Sequence, residues 1–155
     1  SALIFGTGGA AKAVIFILNW LRTAMIYVTG RDANRTRQLV GRFGGQAVAL
    51  DGLAERQPKV DIVINATAVS SPEESPELSE LVQTLAFEGC ELIMDLNYGR
   101  ADNFWQSRSR ALNLPFMDGL PALAFQARRT FALWTGMQVP PDEFLAALTG
   151  SPTGL

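Results

Sequence analysis

The sequence contains no histidine and a single cysteine, and both facts narrow the chemistry that it can perform. Without histidine there can be no Ser-His-Asp triad, no Cys-His pair and no histidine metal site. The lone Cys90 excludes an internal disulfide and a cysteine zinc cluster, and it favours a reducing, cytoplasmic location. Because no set of carboxylates has a spacing typical of metal ligands, we also predict no metal site.

Excess charge and long apolar runs are lacking as well. The 13 Lys and Arg residues against 15 Asp and Glu give a net charge of -2, which argues against a nucleic acid partner. The longest apolar run, residues 13–18 followed by Trp20 and Leu21, is shorter than the ~20 residues of a membrane span, and we predict a buried helix there. Since the chain begins at Ser1 with no room for a signal peptide, we expect a piece of a longer polypeptide.

What is present is an alternation of short β-rich runs and longer helical stretches, in a chain with 48% hydrophobic residues. This pattern predicts an α/β fold of the Rossmann type, a doubly wound parallel sheet of six strands in the order 3-2-1-4-5-6. The predicted strands are residues 2–5, 25–29, 46–50, 61–65, 91–96 and 115–117. The predicted helices are residues 10–22, 33–43, 77–87, 102–112, 120–135 and 141–148.

The first predicted strand runs into a G-x-G-x-x-A turn that opens a helix. Gly6 permits the tight turn, Gly8 lets a pyrophosphate approach the backbone, and the small Ala11 lets the helix close on the strand. Because the free N–H groups of the helix start attract an anion, the turn predicts a dinucleotide site at the carboxyl edge of the sheet.

Arginines and a carboxylate both follow the second predicted strand. A carboxylate at this position selects NAD by accepting a hydrogen bond from the ribose 2′-hydroxyl, whereas arginine selects NADP by pairing with a 2′-phosphate. Arg31 and Arg35 favour NADP(H), and NAD stays open as an alternative because Asp32 stands between them. Asp32 could instead cap the following helix.

Five strings of residues together resemble the cofactor-binding half of the shikimate dehydrogenase family. They are LIFGTGGAAKAV, VTGRDANR, DIVINATA, MDLNYG and DGLPALAFQARRTFALWTG, in that order. The last string is the most discriminating, because generic dinucleotide-binding domains lack it. Glutamyl-tRNA reductase has a similar glycine turn and a similar clamp of arginines after the second strand, but it lacks this last string, so it is the weaker match.

The resemblance implies a role for each matching residue. It implies cofactor contacts at the glycine turn, the arginine clamp, the end of the fourth strand and one later glycine, and substrate contacts at a tyrosine and a glutamine. The cofactor residues are Gly6, Thr7, Gly8, Gly9, Ala10, Arg31, Asp32, Arg35, Asn65, Ala66, Thr67 and Gly119, and the substrate-contact residues are Tyr98 and Gln126.

The sequence also departs from the family pattern. Gly30 and Asp32 replace an Asn and a Thr of the clamp, Val69-Ser70 stands where the family has Gly-Met, and Pro121-Ala122 replaces the Gly-Met pair that lies against the nicotinamide. These differences leave open an NAD-using, quinate-type relative or a catalytically silent regulatory module.

The resemblance implies two regions and a partner. Residues 1–118 form the NADP(H)-binding domain, and residues 119–155 are helices expected to pack partly on a preceding substrate domain that this sequence lacks. In the family that domain supplies a Lys-Asp pair, so the intact enzyme would interconvert 3-dehydroshikimate and shikimate, a hydroxy acid, while this chain alone would be inactive. No catalytic residue is therefore assigned, and an exposed helix face could lead to a dimer.

Overall fold

The computed structural model describes residues 1–150. The chain forms two compact units, one spanning Ser1–Met117 and a second from Asp118 onward. The last five residues of the predicted C-terminal region, 151–155, lie outside the described residues.

The first unit is built on one parallel sheet of six strands. In chain order the strands are β1 (Ala2–Phe5), β2 (Ile26–Thr29), β3 (Gln46–Ala47), β4 (Ile62–Asn65), β5 (Leu92–Asp95) and β6 (Phe116–Met117). Their order across the sheet is β3-β2-β1-β4-β5-β6, and every pair is parallel. The predicted fold and strand order are therefore confirmed. The carboxyl ends of all six strands share one edge, with the change in winding direction between β1 and β4.

Helices connect the strands, and polar side chains fix where several of them begin. The first unit contains α1 (Gly9–Trp20), α2 (Ala33–Phe43), α3 (Pro76–Thr84) and α4 (Phe104–Ala111). Asp32, Ser75 and Asn103 cap α2, α3 and α4 by accepting hydrogen bonds from backbone N–H groups of the first turn. Such caps satisfy donors that a helix start leaves free.

Apolar side chains cover both faces of the sheet, because successive residues of a strand point in opposite directions. Leu3 and Phe5 of β1 lie in one buried cluster, and Ile4 lies in the other. Trp105 of α4 is fully buried in the first cluster, with its ring centroid 4.8 Å from that of Phe5. Trp105 therefore belongs to the core.

The prediction that α1 is a buried helix is wrong for its outer face. Ala11 and Ile15 are its fully buried residues, whereas Phe16 is 63% exposed and Trp20 is 73% exposed. The helix covers one face of the sheet, so a sequence that is apolar nearly all round leaves an apolar stripe outside. Strand β3 is also shorter than predicted, because this edge strand pairs on one side only and both of its residues are exposed.

The second unit contains α5 (Leu120–Thr135) and α6 (Pro141–Thr149). Helix α5 ends at Gly136, which adopts the left-handed conformation with φ +72°. The two helices contact through the rings of Phe131 and Phe144, whose centroids are 5.8 Å apart. The helical spacing of Phe131 and Trp134 predicts core positions, but Trp134 is 82% exposed. Among residues 1–150, no helix is long and apolar enough to cross a membrane.

Candidate functional site

The turn between β1 and α1 can only be made with glycine at its first position. Gly6 has φ +116°, and a Cβ atom there would lie 2.8 Å from the carbonyl oxygen of Ala66 at the end of β4. By contrast, a Cβ atom on Gly8 or Gly9 would meet nothing within 4 Å. Open space therefore lies over the start of α1, where backbone N–H groups are available to an anion. These features fit a dinucleotide pyrophosphate.

A cleft of about 340 Å³ lies at the carboxyl edge of the sheet, beside this turn. We call it the cofactor cleft. Its walls come from the ends of β1, β2 and β4, the segment after β3, and the start of α3. It is lined by Gly6, Thr7, Gly8, Gly30, Arg31, Asp32, Arg35, Leu50, Ala66, Thr67, Ala68, Val69, Ser75 and Leu78. Eight of the twelve predicted cofactor residues are thus brought together, while Gly9, Ala10, Asn65 and Gly119 are not part of the lining.

At the end of β2, the carboxylate and the arginines have different tasks. Asp32 Oδ1 accepts hydrogen bonds from the backbone N–H groups of Asn34 at 2.9 Å and Arg35 at 3.0 Å, so the N-cap interpretation of Asp32 is confirmed. The hydrogen bond from the Arg35 backbone is the largest cause that lowers the pKa of Asp32. The side chain of Arg35 is 76% exposed, and its Nε lies 3.5 Å from Asp32 Oδ2. The carboxylate is engaged by its own helix, whereas the two cations border the cleft.

Asn65, at the end of β4, is fully buried beneath the cleft. Its Nδ2 donates to the carbonyl of Val69 at 2.9 Å and to Asp95 Oδ1 at 2.8 Å. Its Oδ1 accepts from the backbone N–H of Thr67 at 3.1 Å and from the Thr67 hydroxyl at 2.7 Å. The amide thus holds the segment after β4, and it acts on the cleft through Thr67 rather than by lining it.

Asp95, at the end of β5, is the centre of this buried polar network. Its side chain is fully buried, and Oδ1 accepts from the Asn97 backbone N–H at 3.0 Å in addition to Asn65. Oδ2 accepts from Asn103 Nδ2 at 2.6 Å, which connects β5 to the cap of α4. Asn97 Nδ2 also donates to Ser70 Oγ at 2.8 Å. Sequence reasoning missed this network; its one signal was the run of Asp and Asn residues directly after a buried strand.

The loop from Ser70 to Ser75 forms another boundary of the cleft, and Glu74 holds it in place. Glu74 Oε2 accepts from the backbone N–H groups of Ser70 at 2.7 Å and Ser71 at 3.0 Å, while Oε1 pairs with Arg100 Nε at 2.9 Å. These bonds, led by the one from Ser70, lower the pKa of Glu74 to about 2. Glu74 thus anchors this loop to Arg100.

The remaining predicted contacts belong to different units. Tyr98 follows β5 in the first unit and is 43% exposed. In the second unit, Gly119 is the N-cap residue of α5 and Gln126 is an exposed residue of that helix. Asp118 Oδ1 accepts a hydrogen bond from the backbone N–H of Leu120 at 3.0 Å and helps to begin the helix. Among residues 1–150, no group of three or more His, Cys, Asp or Glu side chains could hold a metal ion.

Comparison with known proteins agrees with this geometry. A family model described as Shikimate / quinate 5-dehydrogenase matches residues 1–103, which include the glycine turn, the arginines and the Asp95 network. The chain belongs to the shikimate / quinate 5-dehydrogenase family. A shikimate dehydrogenase (NADP(+)) from Nitrobacter winogradskyi is 32% identical over 149 residues, which are 95% of this chain and 52% of that protein.

Solved structures of this family share the fold. The shikimate 5-dehydrogenase of Thermus thermophilus, solved in complex with NADP(H) and shikimate, matches 97% of this chain and 55% of its own, with TM-score 0.76 and 31% identity. A chorismate mutase/shikimate 5-dehydrogenase fusion protein from Clostridium acetobutylicum matches with TM-score 0.77 and 26% identity, over 96% of this chain and 54% of its own. The chain spans about half the length of the relatives that it matches.

Proposed function

We propose that this chain is the NADP(H)-binding part of a shikimate-dehydrogenase-like oxidoreductase, which reversibly reduces 3-dehydroshikimate to shikimate in aromatic amino acid biosynthesis. The observation that carries the proposal is the cofactor cleft, where a glycine turn, two arginines and the end of β4 meet at one edge of the sheet. Family membership and the NADP(H)-bound relative support it.

The residues of the cleft have distinct proposed tasks. The first N–H groups of α1 bind the pyrophosphate, and Gly6 keeps the turn close enough to β4 for the cofactor to lie across the sheet. Arg31 and Arg35 bind the 2′-phosphate of the adenosine ribose. Bound NADPH supplies the hydride. Because Asp32 already accepts two backbone hydrogen bonds, it is less available to a ribose hydroxyl, and this favours NADP over NAD.

The acid-base group for the substrate is proposed to come from further polypeptide. Of the two lysines, Lys59 pairs with Glu88 at 2.8 Å and precedes β4, away from the carboxyl edge. The other, Lys12, lies in α1 and does not line the cofactor cleft. The greater length of the relatives supports a separate substrate domain. Tyr98 and Gln126 remain the proposed substrate contacts, and Gly119 remains the proposed nicotinamide contact.

The exposed apolar side chains of the second unit support a proposed docking of α5 on that domain, and a dimer is the competing explanation of the same exposure. Leu133 is 77% exposed and Met137 is 59% exposed, next to the exposed Trp134. Such surface is expected to be covered in the complete protein. We propose that this protein is cytoplasmic, in line with its one cysteine.

Direct titration tests the proposal. The chain is titrated with NADPH and NADH at equal ionic strength, in the wild type and in Arg31→Ala. We expect tighter binding of NADPH, and a loss of that preference in the variant. Equal affinity, or a preference for NADH, would contradict NADP selectivity and favour a quinate-type, NAD-using relative. Oxidation of shikimate by the chain alone would contradict the proposal that its acid-base group lies elsewhere.

A further inference from the structure

A second cleft, of about 280 Å³, lies beside the cofactor cleft, between the start of α1 and one side of α2. We call it the lateral cleft. Thr7 and Arg35 line both clefts, so the two adjoin at these residues. The lateral cleft is lined by Thr7, Lys12, Arg35, Gln38, Leu39, Arg42 and Phe43.

The lining of the lateral cleft carries three cations and no carboxylate. Asp32 lies 3.5 Å from Arg35 but also accepts backbone hydrogen bonds as the cap of α2. Among residues 1–150, neither Lys12 nor Arg42 takes part in a salt bridge. Arg42 instead lies over the ring of Phe43, 5.6 Å from its centroid. In a chain with net charge -2, these three side chains are a local concentration of positive charge that attracts an anion.

The walls of the lateral cleft are held in a fixed relation. Asn19, near the end of α1, donates from Nδ2 to the carbonyl of Phe43 at 2.7 Å and so ties the far ends of the two helices together. Leu39 anchors α2 on the core and is 5% exposed. The helix backbones that carry Lys12, Arg35 and Arg42 are therefore held together before an anion binds, which reduces the ordering cost of binding.

We propose that Lys12 is a specificity-determining residue that binds the 2′-phosphate together with Arg35, from the lateral cleft. The inference rests on the proposed function and deepens it. A phosphate monoester carries a charge of about -1.5 to -2 at pH 7 and takes several charged donors at once. Arg35 lines both clefts, so a 2′-phosphate bound at Arg35 in the cofactor cleft would border the lateral cleft that Lys12 lines.

Binding measurements on three variants test the assignment. Dissociation constants for NADPH, NADH and adenosine 2′,5′-bisphosphate are measured for the wild type, Lys12→Gln, Lys12→Arg and Arg37→Gln. Arg37 is a matched control, because it is an exposed cation of α2 that lines neither cleft and donates to Asn34 Oδ1 at 2.5 Å. We expect Lys12→Gln to weaken the binding of the two ligands that carry a 2′-phosphate about tenfold, and the binding of NADH less than about twofold. Lys12→Arg should retain most of the preference for NADPH over NADH, and Arg37→Gln should leave the dissociation constants of both cofactors unchanged.

Each other outcome has a defined meaning. An equal loss of affinity for NADPH and NADH in Lys12→Gln would overturn the inference. Lys12 would then contact the pyrophosphate or contribute only to the stability of the fold. An unchanged NADPH affinity would overturn it as well, while leaving the proposed function intact as long as the wild type prefers NADPH. If the wild type binds neither cofactor, the proposed function fails and the inference fails with it.

Discussion

The methyl group of Thr7 occupies the space that a side chain at position 30 would need. A Cβ atom on Gly30 would lie 3.0 Å from Thr7 Cγ2 and 3.3 Å from the hydroxyl oxygen of Thr36. The glycine turn and the end of β2 therefore pack closely, because the side chain of Thr7 in the turn faces Gly30, which has none. The close contact that a Cβ atom would make explains why glycine fits at position 30, where the family pattern has asparagine.

The contact between Thr7 and Gly30 predicts that the effect of Gly30→Ala on the free energy of unfolding depends on the residue at position 7. Gly30→Ala should lower the free energy of unfolding by about 1 kcal/mol, because the new methyl group overpacks against Thr7. In a Thr7→Ser background, which removes only the methyl group, the same substitution should be neutral or stabilising by up to about 0.5 kcal/mol, since alanine restricts the unfolded chain. Urea denaturation of the four proteins measures the coupling. Additive effects would show that the contact carries no strain.

The buried network predicts a large effect of a single amide substitution. Asp95→Asn replaces one acceptor oxygen by an NH₂ group that must face the amide donors of Asn65 or Asn103. We expect a loss of about 2–3 kcal/mol in the free energy of unfolding, because a buried donor is left without an acceptor. Asp102→Asn removes the same charge at an exposed position nearby and should cost less than about 0.5 kcal/mol. Equal losses in the two variants would contradict the network.

The architecture could be predicted from the sequence because its signals are local. Helix α2 begins and ends where predicted, since Asp32 caps it and Gly44 follows its last residue. The Asn65–Asp95 hydrogen bond joins residues 30 apart, and it depends on the register that places the two residues side by side on β4 and β5. Hydrophobic periodicity carries no information on register across a parallel sheet, so this pairing could not be predicted.

The candidate site shows the same limit. Gly6 and Arg31 stand within or beside recognisable turns, and the sequence places both at the carboxyl edge. Lys12 and Arg42 belong to different helices, and they face one cleft only because α1 and α2 lie side by side. Likewise, the outward face of α1 could not be chosen from a helix that is apolar nearly all round.

Two tryptophans provide a test of where the core lies. Trp105→Ala should cost about 3–5 kcal/mol, because the indole is fully buried against Phe5 and its removal leaves a cavity. Trp20→Ala deletes the same side chain from the exposed stripe of α1 and should change the free energy of unfolding by less than about 0.5 kcal/mol. Chemical denaturation compares them. A loss of several kcal/mol for Trp20→Ala would mean that the stripe is covered in solution.

The Glu74 anchor predicts a specific acid sensitivity. Because the folded pKa is lowered from 4.5 to about 2, the carboxylate stabilises the fold above pH 4.5, and this contribution is lost as the pH falls from there toward 2. Glu74→Gln should therefore be less stable than the wild type at pH 7, and its stability should fall less steeply below pH 4.5, by up to one proton in the linkage slope. Urea midpoints measured from pH 7 to pH 2.5 give both quantities.

Glu73→Gln is the matched control, since that exposed neighbour makes none of the hydrogen bonds described for residues 1–150, and it should follow the wild-type curve. If Glu74→Gln ran parallel to the wild type over this range, the carboxylate would not be the group that ties the loop to Arg100.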